Sequence, residues 1–314
     1  MFMKRRRRFI DGECNHIYQR TLNGFNIFYD REDYLVCYMI ISTVRRKFKV
    51  KIIKMCLMID HIHLLIEADS REEMTDFVRY YSSVFVREYN DSIGRVGQML
   101  YKSFGSAPKK GEKKTRSAIV YIGNNPVEKK LCTSAEEYRW NFIAHLSNRH
   151  PFSHDIPDRE RSRVLKRAIK EAKIEFGANR YMNHNRLRFH MDRLNEIEKE
   201  MFTDYLISLY MPIDIESLMR YYSDIGQMVA AMKASSGNDF DIKEKVTPHS
   251  DMVYARMSEV IRTEAGLDKI RKVVMLPIDR KLELVRKIQS AVPSAELYQI
   301  CKFLHLKTEQ HTIH

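Results

Sequence analysis

Residues 16–29 are rich in aromatic and β-branched side chains and are interrupted at Asn23-Gly24, a pattern that predicts two strands joined as a hairpin. Tyr34, Cys37, Tyr38, Ile41 and Val44 then recur at helical spacing, which predicts a helix over 30–48. Two strands are expected over 50–58 and 61–68, with a tight turn at Ile59-Asp60 between them. Successive side chains of a strand alternate between its faces. His61 and His63 therefore project together, while Ile62, Leu64 and Ile66 form an apolar reverse face. Ser70 and Glu73 have capping-box spacing and open a helix whose Met74, Phe77, Val78, Tyr81 and Phe85 make one apolar stripe. That stripe reads as core.

The glycine, proline and lysine content of 105–117 predicts a loop. A short helix through Tyr121 should stop at Asn125, because a residue followed by proline is disfavoured in the helical region. A second capping box at Ser134 and Glu137 predicts a helix through Trp140 and Leu146. This element order implies an α+β unit, a small antiparallel sheet covered by helices.

Composition changes over 150–158, and beyond it the pattern is almost wholly helical, with an interruption at 235–239. The expected division is a 1–154 domain followed by an all-α domain over 155–314. Residues 159–173 predict a strongly basic helix with an apolar stripe of Val164, Leu165, Ala168 and Ala172. A helix over 279–290, a turn at 291–293 and a second helix capped by Ser294 read as a helix-turn-helix over about 279–305. A plain structural hairpin fits the same pattern. Leu297, Cys301 and Leu304 are expected to face inward, leaving Tyr298, Gln299 and Lys302 toward solvent or a nucleic-acid groove.

Composition adds a partner to this outline. The 314 residues are 44% hydrophobic and 30% charged, as in an ordinary globular protein. Their formal net charge of +13 points to a polyanion, and nucleic acid is the natural one. The five cysteines are scattered without a CxxC pair, which argues against a zinc finger and a disulfide framework. The basic N-terminus lacks an apolar stretch long enough for a signal peptide, and the longest apolar-rich run, 34–41, is too short to span a bilayer. A cytoplasmic protein without membrane contact is expected. Lys4 to Arg8 reads equally as a solvated tail or as a phosphate-contacting arm.

The candidate chemistry starts from His61 and His63. With 12 histidines in the chain, about 0.5 His-x-His pairs are expected by chance, so the spacing alone says little. Aimed from one face of a strand, however, two imidazoles make most of a small metal site. Tyr121 and Asn125 lie one helical turn apart and share a face. A divalent metal beside Tyr121 would stabilise charge during attack on a phosphate, and the Asn125 amide oxygen is a candidate third ligand. Lys109, Lys110, Lys113, Lys114 and Arg116 crowd the segment before that helix and are candidate phosphate contacts, with Phe104 or Tyr101 available to stack on a base.

The run Asp60-His61-Ile62-His63-Leu64-Leu65-Ile66 resembles the histidine–hydrophobic–histidine motif of the HUH endonucleases. Tyr121-Ile122-Gly123-Asn124-Asn125-Pro126-Val127 resembles the nucleophile helix of the single-tyrosine HUH transposases, most of all the REP-associated tyrosine transposases. Residues 16–25 and Glu137-Tyr138-Arg139-Trp140 look like the same branch, so the resemblance covers about 15–150. It implies a ferredoxin-like or RRM-like sheet and a DNA transposase in which Tyr121 forms a covalent 5′-phosphotyrosine, while His61, His63 and Asn125 hold Mg²⁺ or Mn²⁺. It also implies single-stranded, hairpin-forming DNA as substrate and a homodimer. Two departures are Asp60, where an asparagine commonly precedes the first histidine, and Asn125, where related enzymes carry a glutamine. The alternatives are an HUH replication initiator or relaxase, and a helix-turn-helix regulator with a non-catalytic HUH domain.

Overall fold

The structure is a computed structural model that describes residues 9–235 and 251–307. The basic run Lys4–Arg8 lies outside the described residues, as does the expected interruption at 235–239 beyond Ser235.

Four strands carry the site: β1 (Cys14–Arg20), β2 (Val50–Met58), β3 (His61–Ala68) and β4 (Gly105–Lys109). They form one antiparallel sheet in the order β2-β3-β1-β4. The helix α1 (Arg31–Arg45) connects β1 to β2, and α2 (Arg71–Ile93) connects β3 to β4. This β-α-β-β-α-β sequence and strand order are those of a ferredoxin-like fold. The turn at Ile59-Asp60 and both flanking strands fall where the alternation placed them. Ser70 caps α2 by accepting from the Glu73 amide at 3.1 Å, and the expected stripe from Met74 to Phe85 is buried. Asp30 and Asp33 form a capping box at the start of α1, a helix buried on nearly every side from Leu35 to Val44.

Several local expectations are corrected. Asn23-Gly24 does not turn a hairpin; it sits in a 3-10 turn (Leu22–Gly24), and β1 pairs instead with the distant β3 and β4. Residues 105–117 are not a loop. Gly105–Lys109 is the edge strand β4, drawn extended by its ladder to β1, and the helix α3 (Gly111–Glu128) begins directly after it. Pro126 does not stop α3 at Asn125 but sits inside its last turn. The capping box at Ser134 forms, yet the backbone continues as three separate 3-10 turns rather than one helix.

The remaining helices wrap this sheet. They are α4 (Arg163–Gly177), α5 (His184–Met191), α6 (Glu196–Leu209), α7 (Ile215–Leu218) and α8 (Ile225–Ala234). Helices α5 and α6 pack on α1, and α8 packs on α3. One continuous hydrophobic core runs from Cys14 to Met232, with residues on both sides of position 154 contributing to it. The Asp214 amide donates to the Ile52 carbonyl at 2.8 Å and so covers part of the edge of β2.

A second core gathers α9 (Val253–Glu264), α10 (Ile278–Ala291) and α11 (Leu297–Leu304). The expected pair of short helices is present, but α11 starts from Glu296 rather than Ser294. Cys301 and Leu304 face inward as expected, but Leu297 is exposed and Gln299 is buried. Among the described residues no helix is long and apolar enough to cross a membrane.

Candidate active site

The β1–β3 register places Tyr18 opposite His63 and Arg20 opposite His61. His16, Tyr18, Arg20, His61 and His63 therefore share one face of the sheet. Helix α3 crosses that face. Ile62, Leu64 and Ile66 point to the other side and are fully buried. The two histidine rings are 4.7 Å apart and nearly perpendicular, and the Tyr18 ring lies 5.2 Å from His61 and 4.9 Å from His63.

Each imidazole has one nitrogen held from behind. The His61 Nδ1 meets Asp60 Oδ1 at 2.5 Å. The His63 Nδ1 meets His16 Nε2 at 2.9 Å. Those contacts aim both Nε2 atoms toward α3, the arrangement by which an outer partner orients a metal-ligating histidine. The Asn125 amide nitrogen is 3.2 Å from His63 Nε2. The His61 Nε2 is buried and has no hydrogen-bond partner. A buried ring nitrogen left unsatisfied is costly unless another group uses it. Burial, with Lys109 and His61 nearby, pushes the His16 pKa down to about 3. Burial, reinforced by the neighbouring histidines and Arg20, holds His63 well below the usual histidine value. His63 is thus kept in the neutral form in which an imidazole binds a metal, and the His16 ring behind it is neutral as well.

Tyr121 stands over this pair. Its ring is 5.9 Å from His63 and 5.9 Å from His16, edge-on to each. Tyr121, Asn125, His61 and Tyr18 line a cavity of about 270 Å³. The far wall comes from the C-terminal helical unit: Asp251, Tyr254, Tyr298 and Lys302. The Asp251 carboxyl there is pushed up to about 6 by burial and by the charge of Asp60.

His61, His63, Tyr121, Asn125 and Lys302 are thus brought together. Lys109, Lys110, Lys113, Lys114 and Arg116 lie before Tyr121, at β4 and the start of α3. Of these, Lys110, Lys113 and Lys114 are exposed and Lys109 is half-buried. Arg116 pairs with Glu112 and stacks over Tyr222. Tyr101 is exposed beside the cavity, whereas Phe104 is buried. Gln299 is not near the cavity wall; it is buried and accepts from the Glu296 amide at 3.1 Å, capping its own helix. His16, Tyr18 and Asp60 were missed as site residues. The alternation His16-Ile17-Tyr18-Gln19-Arg20 did hold the signal for one polar face.

Among the described residues no three His, Cys, Asp or Glu side chains converge as a metal site. The orphaned His61 Nε2 and the neutral His63 ring fit a divalent cation.

Residues 1–125 match the family model described as transposase IS200-like. Over these 125 of its 314 residues the chain is similar to IS200-like transposases. No curated protein matches the chain. Among solved structures it is similar to the REP-associated tyrosine transposase bound to a REP hairpin. That likeness is 16% identical in sequence, covers 50% of this chain and 94% of that one, and has a TM-score of 0.38. The transposase-like region ends at Asn125, so the match includes every residue of the His–Tyr–Asn cluster. The wall formed by Asp251, Tyr254, Tyr298 and Lys302 lies wholly outside it.

Proposed function

We propose that this protein is a DNA transposase that cleaves and rejoins single-stranded DNA through Tyr121. The observation that carries this reading is the convergence of the Tyr121 ring, the Asn125 amide and the unpartnered His61 Nε2 on one cavity. His61 and His63 would hold Mg²⁺ or Mn²⁺ through Nε2. Asn125 would complete the set with its amide turned to present oxygen. The ion would polarise the scissile phosphate and stabilise charge on the leaving oxygen.

In this reading the Tyr121 oxygen gives up its proton to solvent and bonds to phosphorus. The bond from phosphorus to the 3′-oxygen breaks, and that oxygen takes up a proton as a free hydroxyl. The 5′ end remains as a phosphotyrosine. Rejoining reverses these steps and needs no ATP, because one phosphodiester is exchanged for another. The proposed substrate is a hairpin-forming single strand, in keeping with the +13 charge and the lysines at the start of α3. Homodimerisation is proposed on the family resemblance alone. We further propose that residues 1–154 carry the chemistry and that 155–314 contribute DNA contacts.

The test is incubation of end-labelled hairpin DNA with Mg²⁺, followed by denaturing gels. The expected result is an SDS-resistant adduct that disappears in Tyr121→Phe. An adduct that persists in Tyr121→Phe overturns the nucleophile. No adduct on any hairpin would favour the regulator.

A further inference from the structure

Lys302 comes from α11, in a unit outside the transposase-like region, yet its side chain ends inside the site. Its Nζ lies 2.7 Å from Asp60 Oδ2. The other oxygen of the same carboxylate, Oδ1, holds His61 Nδ1 at 2.5 Å. Asp60 is thus clamped between an ammonium and an imidazole. Burial works against its charge, but His61 and Lys302 together hold its pKa below the usual carboxylate range. We propose that Lys302 is a positioning residue for His61, acting through Asp60 to set the affinity of the site for its divalent cation.

The physical case has three parts. A carboxylate that accepts from Nδ1 fixes the ring's rotation and tautomer, so the Nε2 lone pair faces the cavity. A carboxylate bound at one oxygen alone can rotate about its χ2, whereas Lys302 occupies the second oxygen and removes that freedom. The pair is only partly exposed, with side-chain accessibilities of 26% and 19%, so water replaces the ammonium poorly.

Lys302 is also held in place independently of Asp60. Its backbone carbonyl accepts from the Asn26 amide at 3.3 Å. The neighbouring Phe303 carbonyl accepts from the Tyr29 hydroxyl at 2.6 Å. The unit is docked elsewhere by Arg271–Asp33 and Lys269–Glu32. Replacing the Lys302 side chain should therefore leave the unit in position.

This inference rests on the metal site of the proposed function, so its test measures binding of Mn²⁺ itself. Full-length protein is titrated with Mn²⁺ and free ion is followed by electron paramagnetic resonance, for wild type, Lys302→Met, Lys302→Arg, Asp60→Asn and the double variant Lys302→Met/Asp60→Asn. Losing an outer partner of a ligating histidine weakens metal binding by roughly 10- to 100-fold, and Lys302→Met, one step further out, should lose about tenfold at most. Lys302→Arg should recover much of that loss. The double variant should bind as Asp60→Asn does, because Lys302 acts only through Asp60. Wild-type affinity in Lys302→Met, or additive losses in the double variant, overturns the proposal and leaves the metal site standing. Wild-type protein without Mn²⁺ binding that His61→Ala abolishes overturns the metal site, and this proposal with it.

Discussion

Lys113 and Lys114 are exposed on the first turn of α3, two turns before Tyr121. If they meet backbone phosphates, each contributes about 0.7 to the slope of log affinity against log salt for single strands. Replacing both by alanine should flatten that slope by roughly 1.4, measured by fluorescence anisotropy across a salt series. An unchanged slope would place the strand elsewhere. Single side chains were legible in the sequence where local alternation fixes them. His61 and His63 share a face because a strand permits nothing else, and Tyr121 and Asn125 share one because a helix turns at that period. His16 was not legible, since its partner His63, 47 positions distant, is set by the pairing of β1 with β3, and Asp60 was not, since its clamp is completed by Lys302, 242 positions away. Gln299 was expected toward solvent but takes the N3 position of the α11 capping box, where its side chain turns back to the Glu296 amide.

The placement of α3 decides whether tyrosine and amide meet the histidines, and α8 supports it from behind. The Asn124 amide donates to the Met232 carbonyl at 2.7 Å within the buried seam between them. The same carbonyl also accepts from the Ser235 amide at 3.2 Å, so Asn124→Ala removes one hydrogen bond without stranding it and should cost about 0.5–1.5 kcal/mol, read by urea unfolding. A change below a few tenths of a kcal/mol would mean the seam is held by packing alone. The helix pattern itself was visible, but its length was not. Pro126 is tolerated in the last turn, and the lysine-rich approach proved to be strand and helix because β4 has β1 to pair with. Composition describes how a segment meets water and says little about a ladder partner far along the chain.

Buried charge joins the C-terminal helical unit to the sheet-bearing core. Arg271 meets Asp33 at 2.7 Å with both side chains almost wholly buried, and Asp33 also takes the amides of Tyr29 and Asp30. Burial opposes the charge on Asp33, and Arg271 with His184 overrides it, holding its pKa at about 2. A carboxylate depressed in this way stabilises the fold fully above its unfolded value of about 3.9 and loses that contribution as pH falls through 2. Arg271→Ala should destabilise the protein by about 3–5 kcal/mol at neutral pH and shift its acid unfolding to higher pH, both readable by calorimetry. An unaltered acid limb would assign the depression to the other partners. The α+β class and the helical character of the second half were legible from periodicity. That the second half closes the cavity was not, because its closing contacts, such as Lys302 with Asp60 and Asp251 with Lys129, join residues more than 100 positions apart.

The 242 residues that separate Asp60 from Lys302 are also an interval of time. At about 5–20 residues per second, translation delivers the counter-ion roughly 10–50 s after the carboxylate it will hold. Through that interval the sheet can pair and α3 can dock, yet the Asp60 carboxylate lacks its Lys302 clamp. A chain still being made would therefore carry the tyrosine, the histidines and the amide before it carries the full geometry to use them. The final orientation of His61 would then arrive only once Lys302 has been made, well after the sheet that carries the histidine.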